Sequence, residues 1–124
     1  IRSTRSDWEA LIGALEPLVT ERTLILQSTD FSHYLAHHGA RVRDQQTLNV
    51  VASGALDRIA ALQQQEHLDS AGAMYVHMAL QQRLRGAAYY RAHVGPWIRR
   101  RLTGTSSGDG REPKFGGGWV TVAP

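Results

Sequence analysis

Residues 23–35, TLILQSTDFSHYL, are the stretch that decides the predicted fold. Leu24, Ile25 and Leu26 form an apolar run that is too short for a buried helix and is typical of a buried β-strand. An amphipathic helix is predicted before the run, and polar residues follow it directly. The order helix, strand, polar loop favours an α/β fold whose functional loop lies at the C-terminal end of the strand.

The segment before the strand has the apolar spacing of an amphipathic helix. Its apolar residues are Trp8, Leu11, Ile12, Leu15 and Leu18. Ser6, with Glu9 three residues later, matches a capping box and predicts that the helix begins there. Pro17 limits how far the helix extends.

After the strand the pattern is mostly helical. The predicted helices run from Ala40 to a break at Gly54, over 55–65, and over 71–84, the last with Ser70 or Asp69 as N-cap and Gly86 as its stop. Residues 87–102 fit either a strand or a short helix, residues 103–118 are typical of loop or disorder, and WVTV at 119–122 fits a last strand. We therefore expect an α/β chain that is rich in helix, with a partial central sheet flanked by helices.

The formal charge of +3 is distributed unevenly along the 124 residues. Residues 1–84 contain seven arginines against nine acidic residues, whereas residues 85–124 contain seven basic residues against two acidic ones. The basic character therefore belongs to a Gly- and Arg-rich C-terminal third. We divide the chain into a first part, 1–86, and a basic tail, 87–124.

Composition excludes several classes of protein. The sequence has no cysteine, which rules out disulfides, thiolate zinc sites and cysteine nucleophiles. No apolar run reaches the roughly 18–20 residues of a membrane span, and the N-terminal residues lack the apolar core of a signal peptide. We expect a cytoplasmic protein without membrane contact. The phosphate-binding glycine motifs and the nucleophile elbow are also absent from the sequence.

The densest polar cluster, residues 28–38, directly follows the predicted strand. Asp30 and His33 are three residues apart, and at the mouth of a sheet such a pair supports proton transfer, with the carboxylate orienting the imidazole or a ligand. The same spacing also arises where an aspartate caps a turn beside a structural histidine. Both interpretations stay open from the residues alone.

The remaining histidines give a weaker signal for a metal. His33 and His37 have the spacing of two ligands on one helical turn, with His38 adjacent, but no third ligand is spaced with them. A solvated loop is the favoured interpretation there. His67 and His77 are interpreted as structural or exposed residues.

Residues 28–34, STDFSHY, resemble the strand-end motif of the Memo-like family, specifically of the proteins called AmmeMemoRadiSam system protein B. Residues 40–62 resemble the family's following helix pair, with Asp44 and Asp57 in its acidic positions. Residues 67–84 are similar to the opening of its next helix. The resemblance covers about residues 6–86.

The resemblance implies the fold of the class III extradiol dioxygenases, a central sheet with helices on both faces. It also makes Asp30 and His33 the expected site residues, because the histidine matched by His33 acts there as an acid/base beside a non-haem metal. Iron or copper is the cofactor that the complete family site implies. The family's first ligands precede the motif, and Memo-type members carry a cysteine where this sequence has Ala71, so we expect the metal to be absent from this chain.

Three functions of different classes follow. The leading hypothesis is the C-terminal part of a Memo-like protein whose Asp30–His33 cleft binds a small ligand or metal, with metal-assisted redox or dioxygenase-like ring-opening chemistry in the complete protein. Whether this chain is itself an enzyme is left open. The alternative is a non-enzymatic module with a degenerate site that binds a protein partner. The least favoured is nucleic-acid binding by Arg99, Arg100 and Arg101 with Tyr89, Tyr90 and Trp97.

Overall fold

The computed structural model describes residues 3–20, 22–32, 37–63, 66–96, 98 and 119–122. Along the chain the elements are α1 (Arg5–Leu15), a 3₁₀ turn (Glu16–Leu18), β1 (Leu24–Gln27), α2 (His37–Ser53), α3 (Leu56–Ala60), α4 (Ala71–Arg85), α5 (Ala87–Tyr89), a π-helical turn (Tyr90–Val94) and β2 (Trp119–Val122). The described part of the chain is predominantly helical. None of its helices is long and apolar enough to cross a membrane.

Helix α1 begins two residues earlier than predicted. Thr4 is the N-cap: its hydroxyl accepts a hydrogen bond from the Asp7 N–H, and the Asp7 carboxylate accepts one from the Thr4 N–H in return. Ser6 therefore lies inside the helix, and the predicted cap at Ser6 is wrong. The helix ends at Leu15, and Pro17 lies in the 3₁₀ turn that follows, as the sequence indicated.

The two described strands form a two-stranded antiparallel sheet rather than the expected central sheet flanked by helices. The predicted strand at Leu24–Leu26 and the last strand at 119–122 are both confirmed, and they pair with each other. The expectation that β1 is buried is wrong, because Leu24 and Leu26 are 50% and 66% exposed. One face of β1 points toward solvent, and Ile25 on its other side packs against the core.

Helix α4 forms the centre of the core. Residues 74–81 are buried along its length, because α1, α3 and β1 all pack against this helix. Its start is fixed by Ser70, whose hydroxyl accepts from the Ala73 N–H, and it ends at Gly86 with a φ of 84°, both as predicted. Gly72 allows α1 to approach closely, since a Cβ there would lie 2.5 Å from the Trp8 indole nitrogen.

Polar contacts between α1 and α4 reinforce this packing. The Tyr75 hydroxyl donates to the Glu9 carboxylate at 2.5 Å, and Arg83 forms ion pairs with both Glu9 and Glu16. The hydrogen bond from Tyr75 is the main cause that lowers the pKa of Glu9, and Arg83 adds to it. Burial, followed by the Glu9 contact, raises the pKa of Tyr75.

The described residues between 87 and 98 are helical, which decides between the strand and the helix that the sequence left open. They pack against the same core. Tyr90 is buried, its hydroxyl donates to the Val51 carbonyl oxygen at 2.9 Å, and Ile98 is buried as well. Gly95 lies against α2 so closely that a Cβ would meet the Ala52 carbonyl oxygen at 2.2 Å. Residues 99–118 lie outside the described part of the chain.

Candidate functional site

The segment after β1 holds Asp30 by its backbone and leaves its side chain exposed. The Asp69 N–H donates to the Asp30 carbonyl oxygen at 3.0 Å, and the next residue, Phe31, pairs with Leu68 in an isolated antiparallel bridge. Phe31 and Leu68 are both buried. The Asp30 carboxylate forms no hydrogen bond or ion pair with any residue that the structure describes. It is therefore an exposed carboxylate on an anchored backbone.

Asp44, on α2, holds the same segment two residues further on. The Ser32 N–H and the Ser32 hydroxyl both donate to the Asp44 Oδ1 atom, at 3.0 and 2.7 Å. Hydrogen bonds to an ionised acceptor are stronger than those between neutral groups. The acidic residue that the family resemblance singled out on this helix thus positions the strand-end segment.

Asp69 holds the segment from a third side. Its carboxylate accepts a hydrogen bond from the hydroxyl of Thr29, which is buried. The sequence offered Asp69 or Ser70 as the cap of α4. Ser70 caps the helix, so the Asp69 side chain is available for Thr29.

Gln27 is a polar residue of this region that sequence reasoning missed. Its side chain is buried on the same side of β1 as Ile25, yet neither its amide oxygen nor its amide nitrogen has a hydrogen-bond partner in the described part of the chain. A buried amide without a partner costs about 1–3 kcal/mol, and such groups in folded proteins call for an explanation. Gln27 lies two positions after Ile25, a spacing that puts both residues on the same side of a strand. This signal was hidden because Leu24, Ile25 and Leu26 are all apolar.

His33 and Tyr34 lie outside the described residues, so the Asp30–His33 pair is not placed. His37 and His38 belong to the start of α2, but their side chains also lie outside the description. The described residues contain no group of three His, Asp or Glu side chains that could hold a metal. Ala71 begins α4 and carries no donor atom.

His67 and His77 differ in environment. The His67 Nδ1 atom accepts a hydrogen bond from the Gln63 N–H at 3.3 Å, which closes the turn before Leu68. His77 is buried within α4, and burial lowers its pKa to about 4, so the imidazole is neutral at physiological pH. Asp57, the other acidic residue that the resemblance named, forms an exposed ion pair with Arg5 at 2.8 Å.

Comparison with known proteins adds no family assignment: no protein-family model, curated protein or solved structure matches the chain. The nucleic-acid hypothesis loses one of its stacking residues, because Tyr90 is buried in the core. Tyr89 is partly exposed, and its ring contacts His93 and the Arg85 guanidinium. Trp97 and Arg99–Arg101 lie outside the described residues.

Proposed function

We propose that the segment after β1 is a binding site for a small oxygenated ligand, with Asp30 supplying a carboxylate and His33 a proton-transfer group. One observation carries the proposal. Of the three carboxylates that meet this segment, Asp44 and Asp69 accept hydrogen bonds that anchor it, whereas Asp30 leaves its carboxylate without a partner among the described residues. A fixed backbone that presents an exposed acidic group is suited to ligand binding, because little ordering remains to be done on association.

The chemistry follows from the two side chains. A carboxylate accepts hydrogen bonds from ligand hydroxyls, or from an imidazole whose orientation it sets. An unperturbed histidine changes charge near neutral pH and can take up or return a ligand proton.

We further propose that the chain is part of a Memo-like α/β protein, in which β1 belongs to a larger central sheet. The STDFSHY motif and the exposed face of β1 support this assignment. In the complete family site a non-haem iron or copper would supply redox or ring-opening chemistry. The described residues do not provide its donor set, so the proposal routes no step through a metal.

Catechol is the probe that tests the ligand site, because its adjacent hydroxyls match a carboxylate and an imidazole. We expect saturable shifts of backbone amide resonances at residues 28–32 when catechol is titrated into ¹⁵N-labelled protein. Asp30→Asn and His33→Ala should each weaken binding at least about tenfold. Asp57→Asn and His93→Ala are matched controls, since both remove an exposed side chain elsewhere. Absence of shifts up to about 10 mM catechol would refute the site.

Elemental analysis tests the metal separately. The purified protein is analysed for iron, copper and zinc, alongside His33→Ala. Near-stoichiometric metal that is lost in His33→Ala would add a metal to the site, whereas less than about a tenth of an atom per chain, unchanged by the substitution, would rule out a metalloprotein.

A second candidate function is a non-enzymatic interaction module. The observation that favours it is the outward face of β1. Leu24 and Leu26, two positions apart on this strand, are both exposed there. Clustered exposed apolar side chains commonly mark interaction surfaces.

A further inference from the structure

Residues 22–31 alternate in exposure along their whole length. The even-numbered residues are exposed: Arg22, Leu24, Leu26, Ser28 and Asp30. The odd-numbered residues are half-buried or buried: Thr23, Ile25, Gln27, Thr29 and Phe31. Because side chains of an extended chain point alternately to opposite sides, the exposed residues from Leu24 to Asp30 share one side. Arg22 is exposed in the turn just before β1, which the hydrogen bond from the Thr23 N–H to the Thr20 carbonyl oxygen closes. We call these five residues the outer face.

The centre of the outer face is apolar and continues beyond β1. The backbone register pairs Leu24 with Val122 and Leu26 with Val120, so β2 adjoins both exposed leucines. Leu18 is 69% exposed and adjoins the start of the strand, where its carbonyl oxygen accepts from the Thr23 hydroxyl at 3.5 Å. Sheets with such a face are normally covered, because exposed aliphatic surface is unfavourable in water.

The ends of the outer face carry opposite charges. Arg22 lies four residues before Leu26 and Asp30 four residues after it, and the positions between them bear no charge. Both side chains are exposed, and neither forms an ion pair with a residue that the structure describes. The outer face is therefore positive at one end, apolar in the middle and negative at the other.

We propose that the outer face packs against the outer face of a second copy of this chain. A two-fold axis at Leu26, perpendicular to the strands, sets the two strands antiparallel and brings Leu26 against Leu26. The same axis brings the Arg22 end of each copy to the Asp30 end of the other, so the charge pattern is complementary to itself. A parallel arrangement would set like charges against each other. Sheets packed face to face are about 10 Å apart, a gap that side chains of this length fill.

The proposed dimer is independent of the proposed ligand site, but both involve the Asp30 carboxylate. The dimer would pair that carboxylate with Arg22, whereas the ligand site requires it to be free, so catechol should shift the dimer toward monomers. Arg22 lies before the strand and plays no part in the ligand site. Variants of Arg22 therefore test the dimer without altering the residues proposed to bind ligand.

Analytical ultracentrifugation of the whole chain over a range of concentrations tests the proposal. We expect a monomer–dimer equilibrium that Leu26→Glu weakens at least about tenfold, because two carboxylates then meet on the axis. Leu11→Glu is the matched control: it introduces the same charge at an exposed leucine on α1 and should leave the equilibrium unchanged. Circular dichroism verifies that both variants fold.

Charge reversal tests the antiparallel arrangement. Arg22→Asp should weaken the dimer, and Arg22→Asp combined with Asp30→Arg should restore it, because the exchanged pair is complementary again. A wild-type chain that stays monomeric at all concentrations would overturn the proposal, and would instead favour cover by another protein. So would a dimer that Leu26→Glu leaves intact. Failure of the double variant to restore association would overturn the antiparallel pairing.

Discussion

Ser32 donates twice to the same carboxylate oxygen of Asp44, once from its backbone N–H at 3.0 Å and once from its hydroxyl at 2.7 Å. The two residues are twelve positions apart and join the segment after β1 to helix α2. Together with the contacts that Asp69 makes to Thr29 and Asp30, this bond fixes the backbone from which the Asp30 carboxylate extends. The proposed site therefore depends on acidic residues that do not themselves face the ligand.

Replacement of Asp44 should destabilise the protein. Asp44→Ala removes the acceptor of both Ser32 donors, which are partly buried, and we expect a loss of about 1–3 kcal/mol in the free energy of unfolding. Urea denaturation followed by circular dichroism at neutral pH measures the loss. Asp57→Ala is the control and should have little effect, because its ion pair with Arg5 is exposed and screened by solvent. Equal stabilities of the two variants would contradict the anchoring role of Asp44.

The start of α1 gives a second test. Thr4→Ala removes the side chain that accepts from the Asp7 N–H and should cost about 1 kcal/mol. Ser6→Ala should be neutral or slightly stabilising, since Ser6 lies within the helix and alanine has the higher helix propensity. Thermal unfolding of the two variants side by side distinguishes the caps. A larger loss from Ser6→Ala would restore the cap that the sequence alone predicts.

The sequence predicted helices α1 and α4 because the spacing of their apolar residues repeats at every turn. The stripe that predicts α1 and the capped segment of α4 persist over three or more turns, so errors are confined to the ends. Thr4 and Ser6 both match a capping pattern, and in the structure it is Thr4 that accepts from the Asp7 N–H. Sequence alone offered no ground for that choice.

The strand and the site were predictable only in part. Leucines occupy exposed positions of β1, so the period-2 signal of a half-exposed strand was hidden and the run resembled a buried strand. Asp30 could be singled out because it follows the strand directly. The sequence also named Asp44 and Asp69, but not their anchoring roles, since they lie 12 and 40 residues from their partners Ser32 and Thr29. Such long-range hydrogen bonds leave no local pattern.

Gly72 gives a test of the contact between α1 and α4. A Cβ at Gly72 would lie 2.5 Å from the Trp8 indole nitrogen, so Gly72→Ala should cost about 1–3 kcal/mol as the two helices move apart. Gly13 lies within α1 with nothing within 4 Å of an added Cβ. Gly13→Ala should therefore stabilise the protein by about 0.5–1 kcal/mol. Chemical denaturation measures both, and the same sign for the two substitutions would contradict the contact.

Substitution of Gln27 tests whether its buried amide lowers the stability of the protein. Gln27→Leu keeps a side chain of similar size and removes two polar atoms that lack partners in the described chain, so we expect a gain of about 1 kcal/mol. Gln45→Leu, at an exposed position of α2, should change the stability by less than about 0.5 kcal/mol. A loss of stability in Gln27→Leu would instead show that the amide is hydrogen-bonded in solution.

His77 should make the stability fall in mild acid. Burial lowers the pKa of His77 to about 4 in the folded state, against 6.5 for the ordinary side chain. Below pH 6.5 His77 is protonated in the unfolded chain but stays neutral in the folded chain. Stability that is present at neutral pH is therefore lost progressively as the pH falls to 4.

Between pH 7 and pH 5 this proton should lower the free energy of unfolding by about 2 kcal/mol. His77→Gln should remove that part of the pH dependence, whereas His93→Gln, at an exposed position, should retain it. Urea denaturation at a series of pH values compares the slopes of the three proteins. The window lies above the range where Asp7 and Glu9, whose pKa values are lowered by their hydrogen bonds, begin to titrate. If wild type and His77→Gln lost stability in parallel over this window, the imidazole would have to be solvated in the folded protein.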